Sequence, residues 1–313
     1  MPHPSKTISE ARDRWQSRLL VLSVGGVLIA FAAFALKHLA VTLSGTKNYP
    51  IDSRQIWIWL TPWMLSLTFA AIVWAVRAAT FGGIFFGALI CLSVVLGTQF
   101  PGRLWGSGLP PLIALFLLTF AATRIGKRRK QQLGARLDAD EKHGRSAAQV
   151  IANLGMAGLA SITGFTSLFD NLIPYAGYFG LSIYITPVLL TAALSEATAD
   201  TVSSEIGQAF GGTPFLLTTL RPAPAGTDGA VSLLGTAAGI ASAAIVAAVA
   251  ATAMPITLAH TAMAFAAGVA GLFFDSILGA TVERKGWLGN DLVNFASTAF
   301  AVATALLLFI AFH

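Results

Sequence analysis

Long apolar runs, all but one free of charged residues, divide this chain, and no other feature limits its fold as much. Leu19–Leu36 passes eighteen residues without Asp, Glu, Lys or Arg, and a helix needs about 20 mostly apolar residues to cross a hydrocarbon core. Similar runs recur at residues 56–76, 79–100, 109–123, 147–169, 172–195, 229–254, 257–278 and 292–312. They are continuous rather than alternating, which predicts helices and not barrel strands. The expected fold is all-α: a polytopic transmembrane helix bundle of about nine spans. Composition agrees, with 55% hydrophobic and 11% charged residues and a mean hydropathy of +0.72. Soluble domains carry about 25% charged residues, so a soluble enzyme is excluded, and so is a disordered chain.

The ends of the first run bear two readings. A signal peptide also starts basic, and Ala33-Phe34-Ala35 resembles a cleavage site. The run exceeds the usual length of a signal core, which favours an uncleaved first span. The net charge is +6, from 20 Lys and Arg against 14 Asp and Glu. In so apolar a chain this reads as basic cytoplasmic loops rather than nucleic-acid binding. Arg124–Arg145 holds eight basic residues against Asp138, Asp140 and Glu141, so it is placed in the cytoplasm. The N-terminus is then cytoplasmic too, and sixteen of the 20 Lys and Arg fall on the inner side. The expected organisation is a four-span region at 1–123 without motifs, a basic cytoplasmic loop at 124–146, and five spans at 147–313. Cys91 is the sole cysteine, so no intramolecular disulfide forms.

Polar groups inside a membrane are costly unless they face the bundle interior or water, and nearly all of them follow residue 123. Four groups stand out. Arg145 precedes Gln149 and Asn153, which lie four apart on one helical face. Arg145 either flanks the membrane as an inside charge or holds a phosphate with two bonds. Asp200, Ser203, Ser204 and Gly207 fall at i, i+3, i+4 and i+7, one face of a helix bearing hard oxygen ligands suited to Mg²⁺. The polar stretch continues through Thr218, Thr219, Arg221 and Gly226-Thr227-Asp228-Gly229, either a solvated connector or a loop whose backbone N–H groups wrap a phosphate chain. Asp275 follows Phe273-Phe274 inside an apolar span; it needs a partner, and a metal shared with Asp200 is one. Asp291, Asn294 and Thr298 form a stripe into the last span, where Asp291 either serves the site or sits in the favourable first turn of its helix.

Other features carry no chemistry. The histidines are scattered without Cys partners, against a zinc site. There is no P-loop string and no nucleophile elbow. The run at 127–130 suits anionic lipid headgroups better than nucleic acid. Gly235 and Gly239 favour close helix packing.

Taken in order, Arg145…Gln149…Asn153, Ala199-Asp200-Thr201…Ser204-Glu205-Ile206-Gly207, Gly226-Thr227-Asp228-Gly229…Ser232, Asp275-Ser276…Gly279 and Asn290-Asp291…Asn294 resemble the phytyl-phosphate kinase family of integral membrane proteins, distantly similar to dolichol kinase and CDP-diacylglycerol synthase. The chain departs from the pattern at Leu154 and at Ala223-Pro224-Ala225. The resemblance covers roughly residues 145–300 and leaves 1–123 unassigned. It implies a CTP-dependent kinase that converts a prenyl monophosphate (phytyl, geranylgeranyl or farnesyl phosphate) to the diphosphate, with Mg²⁺ as cofactor, and makes 147–313 the catalytic region. On it Asp200 and Asp275 are expected to be catalytic metal ligands, with Glu205 or Asp291 in support. Arg221, also catalytic, and Arg145 are expected to pair with phosphates. Ser204, Gly207, Thr218, Thr219, Gly226 and Thr227 are expected to bind the nucleotide, and Gln149, Asn153 and Asn294 the acceptor. The partners expected are prenyl phosphate, CTP and membrane lipid, with no nucleic acid and homo-oligomerisation left open. The site is expected to face the cytoplasm. Two alternatives stand beside this reading: a membrane cytidylyltransferase acting on a lipid phosphate, which needs the same ligands, and a transporter or lipid-binding protein.

Overall fold

The computed structural model describes residues 8–44, 53–98, 106–132, 144–162, 182–224 and 226–312. Among them the α-helices are α1 (Glu10–Ser44), α2 (Ser53–Ala75), α3 (Phe81–Gly97), α4 (Leu109–Gln132), α5 (Ala147–Ala160), α6 (Ser182–Phe210), α7 (Leu233–Ala253), α8 (Leu258–Leu278) and α9 (Asn290–Ala311). Two short strands, β1 (Phe215–Leu216) and β2 (Ala230–Val231), pair antiparallel between α6 and α7. Six helical segments are long and apolar enough to cross a membrane: those of α1, α2, α4, α7, α8 and α9. Of the expected spans, 163–169 and 172–181 lie outside the described residues, as do 133–143 of the basic loop.

One boundary differs from expectation. The loop expected from residue 124 is helical as far as Gln132, because α4 carries its basic residues on a continuing helix. The sixth apolar run continues into its polar stretch, as expected, and α6 carries that stretch on to Phe210. The first four helices pack against the later ones, α4 on α6 and α1 on α5.

The core forms around α6, which packs against α4, α5, α7, α8 and α9. Its Leu189, Leu190 and Leu194 have no exposed surface. In contrast α1 and α2 display Leu22, Trp57, Leu67 and Trp74, each more than half exposed, the surface expected of helices facing lipid. The expected close packing at Gly235 and Gly239 is present. A Cβ on Gly239 would lie 2.7 Å from the Ala199 carbonyl oxygen, and one on Gly235 would lie 2.8 Å from the Gly207 Cα. Backbones therefore touch where α6 crosses α7, as small residues permit.

Beyond Leu278, α8 widens into a π-helical turn, Gly279–Glu283. Such turns accompany functional sites, and this one is held by a backbone crossing. Gly229 has φ +71°, and a Cβ there would run into the backbone of Ser276 and Ala280. The loop before α7 can thus lie directly on the end of α8 only with glycine at 229.

Candidate active site

The helix ends that carry the polar strings all meet at one end of the bundle. There the N-termini of α5, α7 and α9 face the C-terminal parts of α6 and α8 around a cavity of about 330 Å³. Local sequence fixes each end. Ser146 caps α5, accepting the Gln149 N–H at 3.3 Å while its own N–H donates to Gln149 Oε1 at 2.8 Å. Ser232 caps α7 by accepting the Gly235 N–H at 3.1 Å. Helix N-termini carry partial positive charge and spare N–H donors, so three of them around one space favour an anion.

Asp200 from α6 and Asp275 from α8 stand within hydrogen-bonding reach of each other. Asp275 Oδ1 is buried and has no hydrogen-bond partner, an arrangement that leaves a desolvated acceptor beside the site. Arg145 faces them from the start of α5; its charge acts on Asp200, and Nη2 donates to Thr201 Oγ1 at 3.4 Å. Glu283 on the π-turn adds a further negative charge near Asp275. Among the described residues no three acidic, His or Cys side chains converge as a complete metal shell. Mg²⁺ seldom needs one, because one or two carboxylates plus substrate phosphates and water suffice.

Of the residues expected at the site, the cavity brings together Arg145, Gln149, Asn153, Asp200, Ser204, Glu205, Gly207, Gly226, Thr227, Asp275 and Asn294. Two of these have structural work as well: Gln149 closes the α5 cap, and its carbonyl accepts from Asn153 Nδ2 at 2.8 Å. Arg221, Thr218, Thr219 and Asp291 do not line it. The first three sit exposed at the tip between β1 and β2, where Leu216 N–H bonds to the Arg221 carbonyl at 3.0 Å and turns the chain away. Asp291 accepts a hydrogen bond from Ser17 Oγ at 2.6 Å, and so ties α1 to α9 instead.

Sequence reasoning missed Glu196. It is 1% exposed and lies one helical turn below Asp200. Ser297 and Thr298 of α9 donate to its two oxygens at 2.7 and 2.6 Å. Gly271 of α8 leaves room for it, as a Cβ there would press on the Glu196 side chain at 2.5 Å. The signal was present as the i, i+4 pair Glu196 and Asp200 on one helix face. Asp228, Ser232 and Asn290, which stand in the quoted strings without an assigned role, also line the cavity, as does Glu283, a single acidic residue that no spacing marks.

The comparisons with known proteins place the chain among integral membrane proteins. The family described as integral membrane protein DUF92 matches residues 64–302. An uncharacterised membrane protein of Synechocystis is 31% identical over 213 residues, 68% of this chain and 78% of its own. Protein VTE6, chloroplastic, of Arabidopsis thaliana is 30% identical over 224 residues, 70% of this chain and 63% of its own length. An uncharacterised membrane protein of Methanocaldococcus jannaschii is 32% identical over 187 residues, 60% of this chain and 70% of that one. No solved structure matches the chain. Every residue that lines the cavity falls within residues 64–302, and the chain belongs to the DUF92 family of integral membrane proteins.

Proposed function

We propose that the protein transfers the γ-phosphate of CTP to a prenyl monophosphate at the cytoplasmic face of the membrane. The observation that carries this reading is the pairing of Asp200 with Asp275 opposite Arg145, in a cavity ringed by helix N-termini. Phosphate chains and carboxylates repel, and a divalent cation between them, beside the Arg145 charge, offsets that repulsion. Asp200 and Asp275 would hold Mg²⁺, which supplies charge neutralisation on the transferring phosphoryl group. The buried, unpartnered oxygen of Asp275 fits that role. The resemblance to the phytyl-phosphate kinase family supports the choice of donor and acceptor.

An oxygen of the acceptor monophosphate forms the new bond to the γ-phosphorus, and the bridging P–O bond breaks with its electron pair leaving on CDP. A phosphate monoester is largely deprotonated at neutral pH, so the protein need not supply a strong base. Its contribution is alignment and charge. Arg145 matches the fork of a phosphate, and Thr227, Gly229 and Ser232 line the same cavity.

The test uses purified protein, Mg²⁺, geranylgeranyl monophosphate and CTP labelled at either the γ- or the α-phosphate. Label from the γ position in a lipid diphosphate is the expected result. Label from the α position makes the protein a cytidylyltransferase, and transfer from neither rejects both reactions.

A further inference from the structure

A second cavity, of about 470 Å³, opens on the other side of Arg145 among α2, α3, α4 and the start of α5. Its size falls in the usual range for small-molecule sites. Arg145 and Thr123 line both cavities, so the two spaces share a wall.

The clearest pattern is on α4. Leu112, Leu115, Phe116, Thr119, Phe120, Thr123, Arg124 and Lys127 line this cavity and repeat at i, i+3, i+4, i+7, i+8, i+11, i+12 and i+15, a single helix face. That face changes from aliphatic and aromatic to basic over roughly 22 Å at 1.5 Å per residue. The other walls change in the same sense. Phe69 and Val73 of α2 lead to Arg77, and Val150 of α5 leads back to Arg145. All four cations thus gather at the end that adjoins the carboxylate cavity, and the apolar walls extend away from it.

That basic end is built, not incidental. Arg77 occupies the left-handed region, with φ +54°, a conformation that a non-glycine residue keeps only where its surroundings hold it there. The turn it makes runs the chain beside Arg145, whose N–H donates to the Ala78 carbonyl and whose carbonyl accepts from Thr80 N–H, both at 3.0 Å. Arg124 Nη2 donates to the Val76 carbonyl at 3.1 Å and its guanidinium lies 4.8 Å from the Phe120 ring centre. On α3 the cavity is kept open by Gly87, where a Cβ would find its nearest neighbour, Val150, at 4.0 Å.

An apolar chamber with cations at one end fits a molecule with an apolar chain and an anionic head. We propose that this second cavity holds the chain of the lipid monophosphate acceptor, with its phosphate at the Arg145 boundary and facing Asp200 and Asp275. The acceptor's identity as a prenyl monophosphate rests on the function proposed above; the amphipathic character of the cavity does not. On this assignment α2–α4 seat the substrate on which the later helices act.

The test is photolabelling of the full-length protein with geranylgeranyl monophosphate carrying a diazirine at the end of its tail, followed by peptide mapping. Label is expected on α2, α3 and α4. Unlabelled geranylgeranyl monophosphate is expected to suppress it, and phosphatidate is not. Gly87→Leu and Ala88→Leu, each checked for wild-type elution and melting, are expected to lower labelling and raise the acceptor Kd at least about tenfold, the loss of roughly 1.4 kcal/mol. Label confined to α6–α9, equal protection by phosphatidate, or well-folded filled variants that bind within twofold of wild type each overturn the assignment. Phosphoryl transfer is read on the same preparation. Cavity labelling without transfer upholds the chain site and rejects the kinase; transfer with labelling elsewhere upholds the kinase and rejects the chain site.

Discussion

The two cavities sit on either side of one arginine and are made by opposite means. The carboxylate cavity is built from helix ends: caps, a π-turn and short loops bring Asp200, Asp275 and Asn294 to one point from three helices. The apolar cavity is built from helix faces, chiefly one stripe on α4 and the glycines of α3. Helix ends supply charge, spare N–H groups and directed side chains, so they suit chemistry on a phosphate. Helix faces supply area and a gradient, so they suit retention of a chain. On the function proposed above, the difference teaches that turnover and grip can be separated within a single bundle, and that Arg145 is where the two must agree.

That division is open to direct attack. The largest expected effect is on turnover. Asp200→Asn or Asp275→Asn lowers kcat/KM for γ-phosphate transfer by roughly 10²- to 10³-fold, the usual loss for one electrostatic group at the reacting centre. Tail photolabelling persists in both. If either variant abolishes labelling, the cavities are not separable in the way described.

Arg145→Lys comes next, because the side chain borders both spaces. Loss of a forked, charge-assisted pair costs about 1.5–3 kcal/mol, so kcat/KM falls roughly ten- to hundredfold, and acceptor affinity falls with it. A fall in turnover alone would move Arg145 wholly to the carboxylate side.

The third effect is on stability. Glu196→Ala removes the buried carboxylate to which the Ser297 and Thr298 hydroxyls donate; both keep the Asn294 carbonyl, at 2.9 and 2.8 Å, so the cost is that of two lost hydrogen bonds, about 0.5–1.5 kcal/mol each. The midpoint of detergent unfolding drops accordingly. Glu196→Gln retains an acceptor and restores most of it; equal loss in both variants would point instead to the negative charge itself.

The smallest effect tests the loop. Arg221→Ala, at the exposed hairpin tip, changes kcat/KM by no more than about twofold, as surface changes of within ±0.5 kcal/mol do. A loss above tenfold would return Arg221 to the machinery and show that the hairpin folds over the cavity during turnover.

The bundle was legible because each apolar run must satisfy its backbone internally, so length and continuity announce a helix wherever it lies. The heart of the site was legible for a related reason. Asp275 amid Phe273 and Phe274 is too costly to be accidental, and Asp200 shares a helix face with Ser203, Ser204 and Gly207. Position within loops was not legible. Nothing in Thr218-Thr219-Leu220-Arg221 tells whether the turn points inward, because that depends on backbone bonds such as Leu216 N–H to the Arg221 carbonyl. Asp291 misled because a carboxylate near a helix start serves a site and a structural tie equally well. The apolar cavity was hidden for the opposite reason: a stripe of Leu and Phe in a membrane helix reads the same whether it meets lipid, protein or a bound chain.

The tie at Asp291 belongs to a larger clasp between α1 and the turn before α9. Gln16 Nε2 donates to the Trp287 carbonyl and Gln16 Oε1 accepts from Gly289 N–H, both at 2.8 Å, while Arg12 reaches the Gly286 carbonyl at 3.4 Å. These bonds join residues separated by more than 270 positions. Synthesis proceeds at roughly 5–20 residues per second, so α1 waits on the order of 15 to 55 seconds for the segment that completes it. During that interval the start of α1 holds a glutamine, destined for burial, that has no mate. Only the arrival of the Gly289 turn supplies these bonds, so the polar start of α1 is secured late, long after its own synthesis.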